Sequence, residues 1–346
     1  MERWINWGGI MNIWSYILKR LLLMIIVLFG VSCIIFFLAH VIPADPISAM
    51  LGGNAPDDVI ERMEEKLGYN KPLMVQFADF ISGAVVGDFG ESLRTNKPVM
   101  EDIKRYFPAT LELTLLAMAM AIIFGITLGI LSAVYRNKWL DQFSRVFSII
   151  GVSMPVFWTG LLLLLLFYYK LDLFSGAGRL GFFTTPPQHI TGMYLLDSII
   201  TGNWSAFKDA LQHILLPAFC LGFLATASIA RTTRSSMLDV LKQEYITTAK
   251  AKGLSKFVVI TRHALRNALI PTVTIIGLTF GSLLGGAFLT ETVFSLPGLG
   301  RYITAGLLSL DYNSVMGGTL YIAFVYCLVN LIVDIIYAFL DPRMRT

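Results

Sequence analysis

Six long apolar runs constrain the fold of this chain more than any other sequence feature. Each run is close to the roughly 20 residues that a helix needs to cross the hydrocarbon core of a bilayer. Backbone polar groups find no water at that depth, so such runs are expected to be helical. The runs cover residues 18–41, 111–135, 146–171, 214–231, 269–290 and 315–340. The sequence therefore predicts an all-α integral membrane protein with six transmembrane helices.

The overall composition supports a membrane protein. Of the 346 residues, 55% are hydrophobic and only 14% are charged, whereas soluble domains average about 25% charged residues. Cys33, Cys220 and Cys327 all lie inside apolar runs, which indicates neither a disulfide framework nor a metal site. We expect lipid to surround the chain, and we predict no nucleic-acid partner.

Basic residues predict the orientation of the spans. Loops 136–145 and 231–266 are strongly basic, while loops 172–212 and 291–314 are nearly balanced. Because Lys and Arg concentrate in cytoplasmic loops, both termini are expected inside and segment 43–108 outside. The chain then divides into a cytoplasmic extension (1–17), a transmembrane domain (18–340, with a cytoplasmic loop at 231–267) and a cytoplasmic tail (341–346). A cleaved signal peptide is the competing interpretation of the first run, but its length favours a retained span.

The external segment has its own predicted elements. Residues 57–67 form an expected amphipathic helix that ends at Gly68, and a second apolar stretch covers 75–86. The string Gly87-Asp88-Phe89-Gly90-Glu91-Ser92 follows. It resembles the peptide branch of ATP-binding-cassette importer permeases, and an ordinary surface loop is the alternative interpretation. In loop 172–212, aromatic residues such as Phe182 and Phe183 are typical of an interfacial belt; contact with an external protein is the alternative.

The basic loop after the fourth run carries the sharpest local pattern. Good helix formers predict a helix over 238–251 that ends near Lys252, with Gly253 as the stop. Thr247, Thr248, Ala249 and Ala251 are expected to keep one face small, which allows close approach of a partner. The alternative is a solvated basic loop that only sets the topology.

Several strings together resemble one known family. They are Glu244-Tyr245, Thr248-Ala249, Ala251-Lys252-Gly253, the run Arg262-His263-Ala264-Leu265-Arg266-Asn267-Ala268, the segment 290–300 and the terminal Asp341-Pro342-Arg343. The chain resembles, from about Tyr16 to its end, the permease subunits of ATP-binding-cassette (ABC) importers. The widely shared Glu-Ala-Ala form of the loop is replaced by Thr247-Thr248-Ala249, and the match is instead to the oligopeptide/dipeptide/nickel branch, in its peptide-permease B-type subunit.

The resemblance implies a type I ABC importer permease fold in a bacterial inner membrane. It implies a subunit that forms half of the pathway of a binding-protein-dependent importer of di- or oligopeptides. The expected partners are a second homologous permease, two ATP-binding subunits and an external substrate-binding protein. The residues expected to dock the ATPase are Glu244, Tyr245, Thr248, Ala249, Ala251, Lys252 and Gly253. A permease for nickel or a metal chelate is the close alternative, and a secondary transporter or a membrane enzyme are alternatives from other classes.

No phosphate-binding loop of the form Gly-x-x-x-x-Gly-Lys-Ser/Thr occurs in the sequence. ATP and Mg²⁺ are therefore expected on partner subunits, and no cofactor is expected on this chain. Zinc-protease and nucleophile-elbow motifs are also missing from the sequence. We predict that the chain is not an enzyme, with no catalytic residues and no metal ligands.

Polar and small residues at membrane depth are candidates for the pathway or for helix packing. Glu291 and Glu112, at the outer ends of spans, are expected to face water, and Asp334 is expected to bond another helix. A glycine stripe at 277, 281, 285 and 286 favours close helix packing, with a substrate passage as the alternative. The candidates are Ser153, Pro155, Thr159, Gly281, Gly285, Glu291 and Asp334.

Overall fold

The computed structural model describes residues 13–41 and 56–340. The predicted extension before residue 13 and the terminal motif Asp341-Pro342-Arg343 lie outside the described residues. The named elements in the described ranges are helices. They are α1 Ile13–Val41, α2 Asp57–Leu67, α3 Leu73–Val86, α4 Val99–Val134, α5 Trp139–Ser153, α6 Val156–Leu163 with a π-helical extension Leu164–Lys170, α7 Tyr194–Ile200, α8 Trp204–Val240, α9 Glu244–Ala251, α10 Lys256–Val258 with a π-helical continuation Val259–Ala264, α11 Leu265–Val293, α12 Leu299–Leu308 and α13 Tyr312–Leu340.

Five helices in the described part are long and apolar enough to cross a membrane. They correspond to the first, second, fourth, fifth and sixth predicted runs and lie at Ile17–His40, Val99–Val134, Trp204–Val240, Lys256–Val293 and Tyr312–Ile335. Helices α4 and α8 have 36 and 37 residues. At 1.5 Å per residue both are roughly 55 Å long, so they extend well beyond a hydrocarbon core of about 30 Å.

The third predicted run is not one continuous helix. Helices α5 and α6 meet at a bend of 114°, so the pair is either a broken span or a re-entrant segment. Met154 has an extended backbone and Pro155 caps α6, because the residue before a proline avoids the helical region. The predicted run at 146–171 is therefore present as two helices that meet at Met154 and Pro155. A sixth span exists only when this bent pair is counted as one.

One compact unit contains α1, α2, α3 and α13, within the described parts of residues 1–100 and 306–346. Helix α1 packs along α13, where Phe36, Ala39, Tyr312 and Met316 form a buried cluster. Phe77 of α3 packs against the same cluster. The helix predicted over 57–67 is confirmed at Asp57–Leu67 and ends at Gly68.

The second unit covers residues 101–305 and is organised around α8. This helix packs against α5, α7 and α11 and is the most buried of the candidate spans. Leu113, Ala117, Leu221 and Ala225 belong to its central core. A β-carbon at Gly222 would lie 2.7 Å from the carbonyl oxygen of Ala117. Glycine at this position therefore allows α4 and α8 to approach closely.

Candidate functional site

The basic loop after α8 folds into a separate short helix. Helix α8 ends at Val240, a turn follows over residues 241–243, and α9 begins at Glu244. The single predicted helix over 238–251 was therefore wrong at its start. Its end is confirmed, because α9 stops at Ala251 and Gly253 has a φ of 76°. Glycine adopts this left-handed conformation without the penalty of a β-carbon.

The inner face of α9 packs on its own chain. Ile246 and Ala249 are buried in a cluster with Met237, Val259 and Ala264. Ala249 was expected to keep the outward surface small, but its side chain is 6% exposed and serves this internal packing. The other predicted docking residues are exposed on the outer side: Glu244, Tyr245, Thr248, Ala251, Lys252 and Gly253.

A hydrogen bond connects α9 with the start of α11. Asn267 Nδ2 donates to the hydroxyl oxygen of Tyr245 at 2.8 Å. Both residues belong to the strings that resemble the permease family, and 22 positions separate them. The residues from Lys256 to Val293 form a single 38-residue helical rod that passes through the π-helical turn at Val259–Ala264. Helix α9 is thus fastened to one end of a membrane-spanning rod.

The exposed side of this loop combines apolar and cationic groups. Phe257 is 74% exposed, and Tyr245 and Leu254 are also exposed. Lys250, Lys252 and Lys256 are exposed in the same loop. We call residues 244–257 the loop surface. Sequence reasoning missed Phe257, although an aromatic residue in an otherwise polar loop was the available signal.

The other basic loop is organised by one buried carboxylate. Asp141 accepts hydrogen bonds from Ser132 Oγ at 2.6 Å and from the backbone N–H of Asn137 at 2.9 Å. Arg145 and Arg234 donate to the same carboxylate at 2.7–3.1 Å. This network joins the start of α5 to the last third of α8, close to the loop surface.

At the far end of α11, Glu291 is buried rather than exposed to water as expected. Its carboxylate accepts a hydrogen bond from Thr110 Oγ1 at 2.5 Å and one from the N–H of Arg301 at 2.9 Å. The N–H of Leu299 donates to the Thr110 hydroxyl. A β-carbon at Gly298 would lie 2.2 Å from the carboxyl group. Glu291 therefore holds the segment after α11 folded back over the helix end.

Glu112 is also buried, which corrects the expectation that it faces water. Arg179 Nη2 donates to Glu112 Oε2 at 2.7 Å, and the N–H of Leu195 donates to Oε1 at 2.6 Å. The guanidinium of Arg179 lies 3.5 Å from the centre of the Tyr194 ring. Loop 172–193 is thus fixed by an ion pair and a cation–π contact.

Asp197 of α7, which follows this loop, accepts four hydrogen bonds. Its carboxylate accepts from the hydroxyl and N–H of Thr191 and from the N–H groups of Ile190 and Gly192. Burial raises the pKa of this carboxyl, but these hydrogen bonds outweigh it and the net pKa lies below the ordinary value. The Phe182 and Phe183 rings project almost fully exposed nearby in the chain.

The string at 87–92 is bonded within its own unit rather than left as a free loop. Ser92 Oγ donates to Asp311 Oδ2 at 2.5 Å, and Asn313 Nδ2 donates to the carbonyl of Glu91 at 2.9 Å. Asp311 is fully buried. The string therefore attaches the segment between α1 and α4 to the start of α13.

The remaining candidates have different surroundings. Ser153 lines an open cavity, whereas Thr159 is buried and its hydroxyl donates to the carbonyl of Pro155. Gly281 is buried, but no atom lies within 4 Å of a β-carbon placed at Gly285. The expected inter-helix bond of Asp334 is present, as an ion pair with Arg20 at 2.9 Å. The candidates thus do not form one cluster.

Comparison with known proteins identifies the family. Residues 125–346 match the family "binding-protein-dependent transport system inner membrane component", and residues 13–114 match the N-terminal part of such membrane components. The chain is similar to the probable D,D-dipeptide transport system permease protein DdpB of Escherichia coli, with 45% identity over 96% of this chain and 98% of that protein.

Two further relatives have nearly the same coverage. The dipeptide transport system permease protein DppB of Alkalihalophilus pseudofirmus is 45% identical over 96% of this chain and 99% of its own. The glutathione transport system permease protein GsiC of Escherichia coli is 39% identical over 96% of this chain and 99% of its own. Together with the helical membrane fold, these matches show that the chain belongs to the inner-membrane components of binding-protein-dependent transport systems, as a multi-pass ABC transporter permease subunit.

Proposed function

We propose that this chain forms half of the translocation pathway of a peptide importer. Relatives whose names specify dipeptide, D,D-dipeptide or glutathione transport align over almost its whole length. The same names favour peptides over nickel as the transported solute. The second half of the pathway comes from a homologous permease, and an external binding protein delivers the peptide.

ATP hydrolysis takes place on two partner subunits that bind the loop surface, residues 244–257. The single observation that carries this proposal is the attachment of α9 to a membrane-spanning rod. Its outer side is exposed, while Ile246 and Ala249 pack on the chain and the Tyr245–Asn267 hydrogen bond ties the helix to α11. Packed elements move as bodies rather than deform. A displacement of α9 by the ATPases therefore reaches the membrane span and switches access to the pathway.

The proposed orientation places both termini and the loop surface in the cytoplasm. Arg136, Lys138 and Arg145 lie in the first basic loop, and Lys250, Lys252 and Lys256 in the second. Short loops rich in Lys and Arg remain on the cytoplasmic side. The Asp141 network joins these two basic regions, so they lie on one side of the membrane.

A secondary transporter needs ionisable groups at membrane depth that can bind and release the coupling ion. Three such carboxylates are engaged in bonds within the described chain. Glu112 pairs with Arg179, Glu291 bonds Thr110 and Arg301, and Asp334 pairs with Arg20. These bonds favour an energy source outside the chain.

The test is reconstitution of the chain in liposomes with its partner permease, ATPases and binding protein. We expect uptake of a labelled dipeptide that requires both ATP and the binding protein. Ala251→Glu places a carboxylate on the exposed side of α9 and is expected to reduce uptake about tenfold, since burying an unpaired charge in a contact costs over 1 kcal/mol. Basal ATP hydrolysis is expected to continue.

Ser205→Glu is the matched control, because it adds the same carboxylate at an exposed position in the first turn of α8, where a negative charge suits the helix end. Its uptake is expected to equal that of the unsubstituted chain. Equal uptake by the Ala251→Glu variant would contradict the docking role. Uptake that continues without ATPase subunits would contradict the importer itself.

A further inference from the structure

An open cavity of about 400 Å³ lies between α5 and α8. Its polar lining is concentrated on two helix faces and consists of Ser144, Arg145, Ser148, Ser153, Arg231 and Arg234. No carboxylate is among the lining residues. The volume is within the range of pockets that hold small molecules.

The charges around this cavity leave one guanidinium uncompensated. Asp141 lies behind the wall, fully buried, and bonds both Arg145 and Arg234. Arg231 is exposed and has no ion pair or side-chain hydrogen bond within the part of the chain that the structure describes. Because Asp141 holds its two neighbours in place, the wall presents a fixed excess of positive charge.

A second cavity of about 280 Å³ continues along the same face of α8. Ser228 lines the second cavity and Arg231, one turn later, lines the first. Val156 lines the second cavity, three positions after Ser153. Ser282 and Gly286 of α11 complete the opposite wall. The two cavities are therefore consecutive parts of one groove.

The polar groups of this groove do not suit a surface that faces lipid. Polar side chains within spans face a bundle interior or a water-filled cavity. Here Ser228, Thr279 and Ser282 line the part of the groove within the spans. The three arginines line the end that belongs to the two basic loops. The groove thus matches the wall of an aqueous passage that a second subunit completes.

We propose that this groove is the chain's half of the passage and that its arginine-lined end binds the C-terminal carboxylate of a peptide leaving toward the cytoplasm. The inference rests on the proposed function and adds a binding group to it. A guanidinium binds a carboxylate through two parallel hydrogen bonds. Arg231 supplies the free guanidinium, and Arg145 lies across the cavity on α5.

The experiment measures chemical access to the cavity in the assembled transporter in nanodiscs. Ser153→Cys is introduced after Cys33, Cys220 and Cys327 are replaced by serine or alanine. Its modification is followed with an anionic and a cationic methanethiosulfonate reagent. We expect the anionic reagent to react about ten times faster than the cationic one. A ratio of this size corresponds to the free energy of one charge-assisted hydrogen bond. We also expect a dipeptide to protect the thiol and a dipeptide with an amidated C-terminus not to protect it.

Arg231→Gln is expected to abolish both the anion preference and the protection. Arg136→Gln is the matched control, because this exposed arginine of the other basic loop, 136–145, lies outside the cavity lining; it is expected to change neither. The Arg231→Gln complex is also expected to import a dipeptide more slowly, while the loaded binding protein still stimulates its ATP hydrolysis.

Three outcomes would overturn the inference. Protection by anionic phospholipid but not by dipeptide would assign the cavity to a lipid headgroup. Equal rates for the two reagents, in a complex that imports peptide, would contradict the proposed carboxylate site but not the proposed function. A complex with all partners that imports no peptide would contradict the proposed function, and with it this inference.

Discussion

Asp141 and Arg234 form a two-point ion pair, with Nε donating to Oδ1 at 2.7 Å and Nη2 donating to Oδ2 at 3.1 Å. The pair connects α5 with the last third of α8, the helix that precedes the loop surface. Because Asp141 is fully buried and also bonds Ser132 and Asn137, its loss leaves several donors without a partner.

We expect Asp141→Ala to lower the free energy of unfolding by about 3–5 kcal/mol, the usual cost of removing one partner of a buried pair. Thermal unfolding of the purified complex in detergent measures the change. Arg145→Gln is the control. Its guanidinium is partly exposed and makes a single bond to Asp141, so its effect should be below about 1 kcal/mol. Comparable losses in the two variants would mean that the network does not depend on Asp141.

The glycine before α12 provides a packing test. Gly298→Ala forces a methyl group against the Glu291 carboxylate, and overpacking of this kind costs about 1–3 kcal/mol. Gly285→Ala, on the exposed side of α11, adds the same methyl group where no atom lies within 4 Å. We expect thermal unfolding to shift only for Gly298→Ala. A similar shift for both would show that the loss of a glycine, rather than the contact with Glu291, causes the change in stability.

Loop 172–193 is expected to lose stability in acid through Asp197. Hydrogen bonds hold its pKa below the ordinary value in the folded state. A carboxyl with a lowered folded pKa stabilises the fold above its unfolded pKa of about 4, and this contribution disappears as the pH falls through the folded pKa. Asp197→Asn should therefore be less stable by about 2 kcal/mol at neutral pH, and the difference should shrink below about pH 4.

Unfolding of both chains across this pH range, with the exposed Asp172→Asn as control, measures the effect. The control should match the unsubstituted chain at neutral pH. An Asp197→Asn difference that stays constant down to pH 3 would show that the carboxylate charge is not what stabilises the loop.

The Tyr245–Asn267 hydrogen bond can be tested as a mechanical connection. Tyr245→Phe removes only the hydroxyl group, and Asn267→Ala removes the donor. Because each change breaks the same bond, the double variant should be no worse than either single variant. We expect each variant to lose about 1 kcal/mol of unfolding free energy. We also expect each to import fewer peptides per ATP hydrolysed in the reconstituted complex. Additive losses would mean that the two residues act independently.

Much of this architecture could be predicted from the sequence, for physical reasons. Long apolar runs have few alternatives to helices in a membrane, and Gly253 marked the end of α9 because few other residues adopt its φ. The break at 241–243 was missed because good helix formers cover it, and only tertiary packing of α9 decides where the helix restarts.

Burial of single polar residues was harder to predict. Glu291 and Glu112 lie near span ends, where a carboxylate commonly faces water. Their partners Thr110 and Arg179 are 181 and 67 positions away in the chain, and sequence spacing does not reveal such contacts. Ala249 was assigned to the outer face for the same reason, since its neighbours Val259 and Ala264 follow only after the chain has turned back.

The rod from Lys256 to Val293 has a consequence in simple mechanics. With 38 residues at 1.5 Å each it is roughly 57 Å long. Tilting it by about 5° around its midpoint displaces each end by roughly 2.5 Å in opposite directions. A small shift of α9 at one end is thus matched by a movement of similar size at Glu291, at the far side of the bilayer. The length and continuity of this helix therefore couple the loop surface at its start to the segment that Glu291 holds at its end.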